Sequence, residues 1–481
     1  MARRFLDLRT LDKDLGRLSA AERAGLHSTR PLLRLGAAVL FVAAMAMLGT
    51  AALSGQATLA TAAAGVALAA YLALAIGAND VTNSLAPAVG AGAIRAGLGL
   101  SLVALAEIAG AVLAGDRVST TLSLGIVDPA LMLAGHAAAP VMLAALLAAA
   151  LWISLATWAG APVSTTHSVV GGIAGAGLAT FGAQAVNWSG IALIAGGWVV
   201  SPAVAGLVAA LLLAVLRQRV DLAPDRHRAA RRWLPGLVGL MAALIVLYVG
   251  AGLMGQNLRM LLPVVAAATG LAAFAARRTL DRQGPDPATG RARLDRLFGI
   301  PLVLAALLMG FAHGANDASN VTAPLWLILQ AASPAARAAS GAGVVAVQPG
   351  WVTLVAGAGL ALGAVLFGRR LVDMVGSKIT RLNPVRAFCV SLATAIVVLA
   401  ASWLGLPVST THVAVGGVFG VGFYREWEDM RRQRRRKQLP PEEVHRRTLV
   451  RRVHVRRILF AWAITLPVAA ALAALFAAVM M

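Results

Sequence analysis

Long apolar stretches that carry almost no charge divide this chain, and they restrict its possible folds more than any other feature. Several reach 18 residues or more, the length that a helix needs to cross the hydrocarbon core of a bilayer. The chain has 481 residues, of which 59% are hydrophobic and only 13% are charged. A soluble protein of this length needs far more charge to cover its surface. The sequence therefore predicts an all-α polytopic membrane protein.

The formal net charge of +22 would suit a nucleic-acid-binding protein, but its placement indicates another role. Arginines are concentrated in the tails and in short loops between apolar stretches, where the positive-inside rule expects cytoplasmic segments. We therefore expect membrane lipids, and no nucleic acid, around this chain. The single cysteine, Cys389, cannot form an intrachain disulfide, and we interpret it as a small apolar residue of a helix.

Two short motifs each occur twice, in the same order. Residues 77–83 read Gly-Ala-Asn-Asp-Val-Thr-Asn, and residues 314–320 read Gly-Ala-Asn-Asp-Ala-Ser-Asn. A second motif, Pro-Val-Ser-Thr-Thr-His, ends at His167 and again at His412. Each motif alone would be a weak signal, but the ordered repetition of both indicates an internally duplicated site.

The repeats, apolar stretches and basic segments together divide the chain into seven parts. A cleaved signal peptide is the alternative for the first apolar run, but the basic region before it is long for one. We predict a basic cytoplasmic tail (1–34), an extra N-terminal span (35–57), a first repeat (58–216), basic loops with two linking spans (217–296), a second repeat (297–424), a basic cytoplasmic loop (425–457) and a C-terminal span (458–481).

The order of the basic loops predicts that the second repeat is inverted relative to the first. With a cytoplasmic N-terminus, every basic loop is cytoplasmic if each Pro-Val-Ser-Thr-Thr-His region begins and ends on the same side. The two copies of the first motif then cross in opposite directions. Inverted repeats place the substrate near the bilayer midplane, in broken helices at the repeat interface. We therefore predict an inverted-topology repeat with broken helices and re-entrant or paired half-helices.

The stretch 297–330 is too long for one straight crossing. As a single helix it would extend about 50 Å at ~1.5 Å per residue, against a hydrocarbon core of about 30 Å. We expect it to break at the glycine-containing segment 310–314.

Two aspartates, Asp80 and Asp317, lie inside apolar stretches. A carboxylate there costs roughly 2.5–3.5 kcal/mol on insertion scales, so it normally faces a polar cavity with a partner. Carboxylate and carboxamide oxygens suit a hard cation such as Na⁺, and an aspartate can instead carry a proton. Hydrogen bonding between helices is the alternative. The predicted coupling-cation residues are Asn79, Asp80, Asn83, Asn316, Asp317 and Asn320.

Hydroxyl residues follow a proline in both copies of the second motif. Proline suits the first turn of a helix, so hydroxyls and free backbone N–H groups should point together beyond the helix start. Such a site binds an anion without needing an arginine. An ordinary N-cap explains one serine, but not two threonines after it in both copies. The predicted substrate-binding residues are Ser164, Thr165, Thr166, Ser409, Thr410 and Thr411.

Three other ionisable residues lie in apolar stretches and are candidates for proton relay or gating. Hydrogen-bonded packing is the alternative for an intramembrane histidine, whereas an intramembrane carboxylate is a functional candidate by default. The candidates are Glu107, His167 and His412. His313 has a weaker case, because Ile76 stands at its position in the first copy, and Glu107 likewise has only Leu360 as its counterpart.

These duplicated motifs resemble those of the inorganic phosphate transporter (PiT) family, which includes phosphate permeases and a few sulfate permeases. The resemblance covers about residues 58–216 and 297–424. It implies an inverted-repeat transporter rather than an enzyme, with phosphate held by the two Ser-Thr-Thr segments and coupling cations near the two Asn-Asp-x-x-Asn motifs.

One position departs from part of the family. Some members, notably eukaryotic sodium-coupled ones, carry a glutamate roughly where Ser391 stands. This chain is more similar to bacterial members, which are commonly proton-coupled and take phosphate with a divalent metal. The resemblance thus implies a multi-pass protein of a bacterial inner membrane with H⁺ as coupling ion, Na⁺ as the alternative, and no other cofactor.

Several alternatives remain open from the sequence. A sulfate permease would carry the same motifs, because the two tetrahedral anions have similar shapes. A membrane enzyme acting on a phosphorylated lipid would need a nucleophile or metal cluster on one face, whereas the repeats distribute equivalent groups to both. A passive channel and a homo-oligomer are further possibilities.

Overall fold

The computed structural model describes most of the chain, and the regular structure of the described residues is helical apart from one isolated bridge between Val127 and Val186. The first 30 residues of the predicted basic tail, and residues 434–451 of the predicted basic loop, lie outside the described part. The described ranges are 31–51, 59–128, 131–132, 137–253, 258–282, 291–332, 348–378, 382–433 and 452–481.

Seventeen helices are numbered here in chain order. They are α1 (Pro31–Ala51), α2 (Leu59–Gly90), α3 (Ala96–Ala114), α4 (Asp116–Leu124), α5 (Ala138–Trp158), α6 (Thr165–Phe181), α7 (Trp188–Leu216), α8 (Arg226–Leu253), α9 (Leu258–Arg282), α10 (Arg291–Leu297), α11 (Gly299–Asp317), α12 (Ser319–Ala332), α13 (Gly350–Phe367), α14 (Arg369–Lys378), α15 (Pro384–Trp403), α16 (Thr410–Gln433) and α17 (Arg452–Met480). The described residues hold 11 helices that are long and apolar enough to cross a membrane. The prediction of an all-α polytopic membrane protein is confirmed.

Side-chain caps fix several helix starts, as the sequence chemistry dictates. The side chain of Asn187 accepts a hydrogen bond from the backbone N–H of Gly190 at 2.9 Å and starts α7. Asn383 does the same for Arg386 at 3.2 Å, with Pro384 in the first turn of α15. These acceptors satisfy backbone donors that the first helical turn leaves unpaired.

The expected break at residues 310–314 is wrong. α11 continues through this segment to Asp317, and the interruption falls at Ala318, before α12 begins. The glycines serve close packing instead. A Cβ at Gly310 would lie 3.0 Å from a methyl carbon of Val103, and one at Gly314 would collide with the carbonyl oxygen of Glu107. In the first copy α2 is one continuous helix of 32 residues.

The two Pro-Val-Ser-Thr-Thr-His regions form paired helices joined by short extended loops. α5 ends at Trp158 before α6 begins, and α15 ends at Trp403 before α16 begins. The two loops cross-connect. The hydroxyl of Thr166 donates to the carbonyl of Val408 at 3.1 Å, and that of Thr411 donates to the carbonyl of Val163 at 3.4 Å. The starts of α6 and α16 therefore meet inside the molecule.

Close approaches between helices recur reciprocally between the two halves of the chain. A Cβ added to any of eight glycines would collide with a backbone carbonyl of the other half, so only glycine allows these approaches. There are four matched sets, each with one contact from either half: Gly77–Leu360 matches Gly314–Glu107, Gly363–Leu74 matches Gly110–Phe311, Gly171–Leu466 matches Gly416–Pro202, and Gly175–Ala470 matches Gly420–Gly206. Two units related by a two-fold axis would make this pattern.

Candidate functional site

The starts of α6 and α16 are built by the serines of the second motif. The hydroxyl oxygen of Ser164 accepts from the backbone N–H of His167 at 3.2 Å, and Ser409 accepts from His412 at 3.3 Å. Both serines are fully buried N-caps, which is the alternative role that the sequence left open. The capping holds the following threonines at the two helix starts.

The threonines point at the aspartates of the first motif. The hydroxyl of Thr165 donates to Oδ2 of Asp80 at 2.7 Å, and that of Thr410 donates to Oδ2 of Asp317 at 3.2 Å. The hydroxyl of Thr411 reaches the other oxygen of Asp80 at 3.1 Å. The predicted substrate residues and the predicted cation residues thus form one buried site, to which both repeats contribute.

The asparagines that precede the aspartates hold the loops in place. The amide of Asn79 donates to Oγ1 of Thr157 at 2.8 Å, and its oxygen accepts from the backbone N–H of Val163 at 3.2 Å. In either orientation of its amide, Asn316 bonds the hydroxyl of Ser402 at 2.8 Å. Each asparagine therefore ties the motif to the loop of its own repeat.

The asparagines that end the first motif differ between the copies. The amide of Asn83 donates to Thr411 at 2.9 Å, to Thr410 at 3.2 Å and to Asp80 at 3.3 Å. Asn320 is equally buried, but neither its amide nitrogen nor its oxygen has a hydrogen-bond partner. A buried amide without partners is costly, so this position is suited to a bound ligand that completes it.

His313, which the sequence analysis ranked low, lies at the centre of the site. Its Nε2 is 3.0 Å from Oδ2 of Asp317 and 3.9 Å from Oδ2 of Asp80, and its Nδ1 is 2.9 Å from Oε1 of Glu107. The ring is completely buried. Residues four apart on a helix share a face, so the spacing of His313 from Asp317 was a signal for this contact. The duplicated motifs gave no signal for this residue, because its position is not duplicated.

Glu107 stands where the sequence predicted an intramembrane carboxylate, and its partner is His313. Its second oxygen is buried without a hydrogen-bond partner. The counterparts of this pair, Leu360 and Ile76, are apolar and buried. The ionisable cluster around His313 therefore exists in one copy only, inside an otherwise duplicated framework.

The two motif histidines belong to a cluster of aromatic rings behind the helix starts, and their own rings meet edge to face. The ring of His167 lies 4.6 Å from that of His412 and 3.8 Å from that of Trp198, while His412 lies 3.5 Å from Trp462. The indole of Trp198 donates to the carbonyl of Pro407 at 3.1 Å. These contacts match the packing alternative for both histidines, and their proposed relay role stays a prediction.

Three buried side chains of the site lie close enough together that they could hold a cation. One ligand atom each from Asp80, His313 and Asp317 lie within 4.8 Å of one another, and all three residues are buried. Oxygen and neutral imidazole ligands suit Na⁺, a proton or a divalent ion to different degrees. The adjoining threonine hydroxyls and the starts of α6 and α16 offer donors for an anion. An anion next to these carboxylates needs accompanying positive charge.

Comparisons with known proteins identify a family of phosphate transporters. A family model described as the phosphate transporter family matches residues 76–473. A Helicobacter pylori protein named provisionally as a phosphate permease is 41% identical over 370 residues, covering 75% of this chain and 68% of its own. Inorganic phosphate transporter 2-1, chloroplastic, of Arabidopsis thaliana is 34% identical over 442 residues, covering 83% and 69%. A solved structure titled "The sodium-dependent phosphate transporter" has a TM-score of 0.75 and 32% identity, covering 86% of this chain and 97% of its own.

Proposed function

The chain belongs to the phosphate transporter family, and we propose that it is a secondary active transporter that imports inorganic phosphate by alternating access, driven by a cation gradient. The observation that carries this proposal is the single buried site in which threonines of both Ser-Thr-Thr segments contact both motif aspartates. Membership of a transporter family sets aside the alternative of a membrane enzyme.

Phosphate would bind between the starts of α6 and α16. Each start offers partial positive charge and unpaired backbone N–H groups. The hydroxyls of Thr165, Thr410 and Thr411 now donate to Asp80 and Asp317. When those carboxylates bind a cation or a proton, the same hydroxyls can donate to a phosphate oxygen instead. Cation binding and anion binding would therefore use the same threonines.

Protons are the coupling ions that this site favours. His313 lies between Glu107 on one side and Asp317 on the other, so a proton on its ring is stabilised by two carboxylates. The positive charge needed beside a phosphate is then provided within the site. Glu107 has no counterpart in the second repeat, where Leu360 stands.

Sodium is the second candidate, and two observations favour it. The similar solved structure is titled as a sodium-dependent transporter. The unpartnered amide oxygen of Asn320, near Asp317 in sequence, is a hard ligand of the kind that Na⁺ binds. Uptake of phosphate paired with a divalent metal is a variant of either mechanism, with the metal as part of the substrate.

The test is uptake of labelled phosphate into proteoliposomes under separately imposed pH and Na⁺ gradients, with and without added divalent metal. We expect concentrative uptake when the outside is acidic, and little stimulation by Na⁺ alone. Uptake driven only by Na⁺ would favour the second candidate. Uptake that never exceeds equilibrium under any gradient indicates a channel, and stronger competition by sulfate than by unlabelled phosphate indicates a sulfate permease.

We also propose that the two halves are inverted repeats in a bacterial inner membrane, with the N-terminus in the cytoplasm. The reciprocal contacts of Gly77 with Leu360 and Gly314 with Glu107 support a two-fold relation between the halves. The positions of the basic segments support the orientation.

A further inference from the structure

Each Pro-Val-Ser-Thr-Thr-His loop is preceded by a tryptophan at the end of a helix, and a short helix lies against each loop. A Cβ at Gly160, two residues after Trp158, would lie 3.4 Å from Cε of Met374 in α14. A Cβ at Gly405, two residues after Trp403, would lie 3.3 Å from the carbonyl oxygen of Arg117 in α4. We call the end of α5 together with the adjoining part of α14 the Trp158 mouth of the site. The end of α15 together with the adjoining part of α4 is the Trp403 mouth.

The two mouths lie at opposite ends of α3. α4 begins one residue after the end of α3, with Gly115 between them. α14 instead contacts the segment just before α3, since Gly376 closely approaches Gly90. α3 has 19 residues and is therefore about 28 Å long at ~1.5 Å per residue. One mouth thus faces each side of the membrane.

The mouths carry matching residues, and among the described residues an arginine packs on the tryptophan at the Trp403 mouth. The guanidinium carbon of Arg117 lies 3.8 Å from the ring centroid of Trp403, and its Nη1 donates to the carbonyl of Trp403 at 3.5 Å. The hydroxyl of Thr121 donates to the carbonyl of Gly405 at 2.6 Å. The ring of Tyr248 packs edge-on against Trp403 at 5.7 Å. These contacts fasten α4 to the end of α15.

The equivalent residues at the Trp158 mouth are Arg370 and Trp158. Arg370 is the second residue of α14, as Arg117 is of α4, and its side chain is exposed. Trp158 is 75% exposed. The cation–π contacts among the described residues do not include this pair. The sequence provides the same two residue types at both mouths, and the fold joins them at one.

We propose that Arg117–Trp403 and Arg370–Trp158 are alternating latches, so that each mouth closes by docking its arginine on its tryptophan while the other mouth is released. This inference rests on the proposed alternating-access function. In an inverted-repeat carrier, one half rocks against the other around a fixed site. When the carrier changes state, each half then adopts the arrangement that the other half had before. The structure shows one of these two states, in which the Arg117–Trp403 contact is formed.

Breaking one latch should therefore favour closure of the other. A cation–π contact contributes about 0.5–2 kcal/mol, which corresponds to a change of roughly 2- to 30-fold in the ratio of the two states. The effect should appear at the other mouth, toward the opposite end of α3.

The test measures closure of the Trp158 mouth in purified protein without phosphate or any gradient. In a Cys389→Ser background, an Ala159→Cys/Arg369→Cys pair, at exposed positions next to Trp158 and Arg370, leaves both latch residues in place and reports closure by its rate of cross-linking with a short bifunctional thiol reagent. Arg117→Ala should raise this rate by about 2- to 30-fold, and Trp403→Leu should raise it likewise from the other side of the contact. Arg117→Lys keeps a cation and should raise it less.

The matched control is Arg219→Ala, which removes a cation–π contact with Trp233 at 5.9 Å, away from both mouths. It should leave the rate unchanged. If Arg117→Ala and Trp403→Leu leave the rate at the control value or lower it, the latch proposal is wrong. Because the assay needs no transport, that result is separate from a failure of phosphate uptake, which would overturn the proposed function instead.

Discussion

His313 determines the charge balance of the site at the scale of single residues. Two motif aspartates and Glu107 provide up to three negative charges in the apolar interior, and His313 contacts all three groups. Such a cluster is stable only if positive charge or protons compensate it. The proposed phosphate adds further negative charge. Transport of the anion is therefore expected to be coupled to binding of a compensating cation or proton at this cluster.

We expect His313→Gln to uncouple transport from the pH gradient. Glutamine keeps a polar side chain of similar size but cannot become a cation. Losing a hydrogen bond to a charged group costs about 1.5–3 kcal/mol, or roughly 10- to 150-fold in affinity. Uptake in proteoliposomes under an imposed pH gradient should fall by a factor of the same size. Unchanged acid-driven accumulation in the variant would remove His313 from the coupling mechanism.

The aspartates are expected to be required for accumulation but not for folding. Asp80→Asn and Asp317→Asn keep the shape of the side chain and remove the carboxylate that we propose binds the coupling cation. Each should abolish gradient-driven accumulation, while phosphate exchange across the membrane can persist. Asp225→Asn is a suitable control, because Asp225 caps the start of α8 on the surface. Concentrative uptake by both site variants would contradict the assignment.

The threonine hydroxyls are expected to bind phosphate. Thr165→Val and Thr410→Val preserve volume and remove one donor at each helix start. Phosphate affinity should fall by about 10- to 150-fold per hydroxyl, as expected for a hydrogen bond to a charged ligand. Thr180→Val is the control within α6, since its hydroxyl bonds only a carbonyl of its own helix at 2.8 Å. Equal binding by all three variants would place the anion elsewhere.

Glycines determine how closely the long helices approach at the scale of elements. α2 packs on α13 and α11 packs on α3 at points where a Cβ would meet a backbone carbonyl of the partner helix. In lipid, helix association depends on such close packing because no hydrophobic driving force acts between the helices. These approaches bring Asp80 and Asp317 to the same site.

Gly77→Ala and Gly314→Ala should therefore destabilise the protein although alanine favours helices. Overpacking of this kind typically costs about 1–3 kcal/mol. Gly196→Ala in α7 has no atom within 4 Å of the added methyl group, so it should be neutral or stabilising. Thermal unfolding in detergent compares the three variants. Equal melting temperatures for all of them would contradict the packing argument.

The whole molecule combines a duplicated framework with a single ionisable cluster. Reciprocal glycine contacts relate the halves, whereas Glu107 and His313 have only Leu360 and Ile76 as counterparts. In the proposed mechanism, the duplication gives access from each side in turn, and the single cluster gives one coupling site. The proposed orientation follows from the basic segments.

We expect cysteines introduced near Arg226 and near Arg434, in a Cys389→Ser background, to react only from the cytoplasmic side. Both positions lie in segments rich in arginine, which the positive-inside rule places there. An impermeant thiol reagent applied to intact cells and to inverted vesicles makes the comparison. Labelling of either position in intact cells would contradict the inverted topology.

The sequence by itself determined the membrane class, the helical content and the family. A long uncharged stretch in lipid must form its backbone hydrogen bonds without water, and a helix forms all of them within the stretch itself. The helical structure therefore follows from the local sequence. The duplicated motifs carried the family resemblance, which the comparisons confirm over residues 76–473. The same motifs directed attention to Asp80 and Asp317, whose roles stay predictions.

Only the tertiary structure decided which of these residues meet. The duplicated motifs gave little weight to His313, which has no paired position, and suggested separate sites for the threonines and the aspartates. Contacts such as Thr411 with Asp80 join residues far apart in the chain, and no local pattern specifies them. The same holds for the glycines at 310 and 314, which suggested a break but allow a close approach. Local propensity indicates which conformations a segment can adopt, whereas packing between the two halves determines which conformation it has in the folded protein.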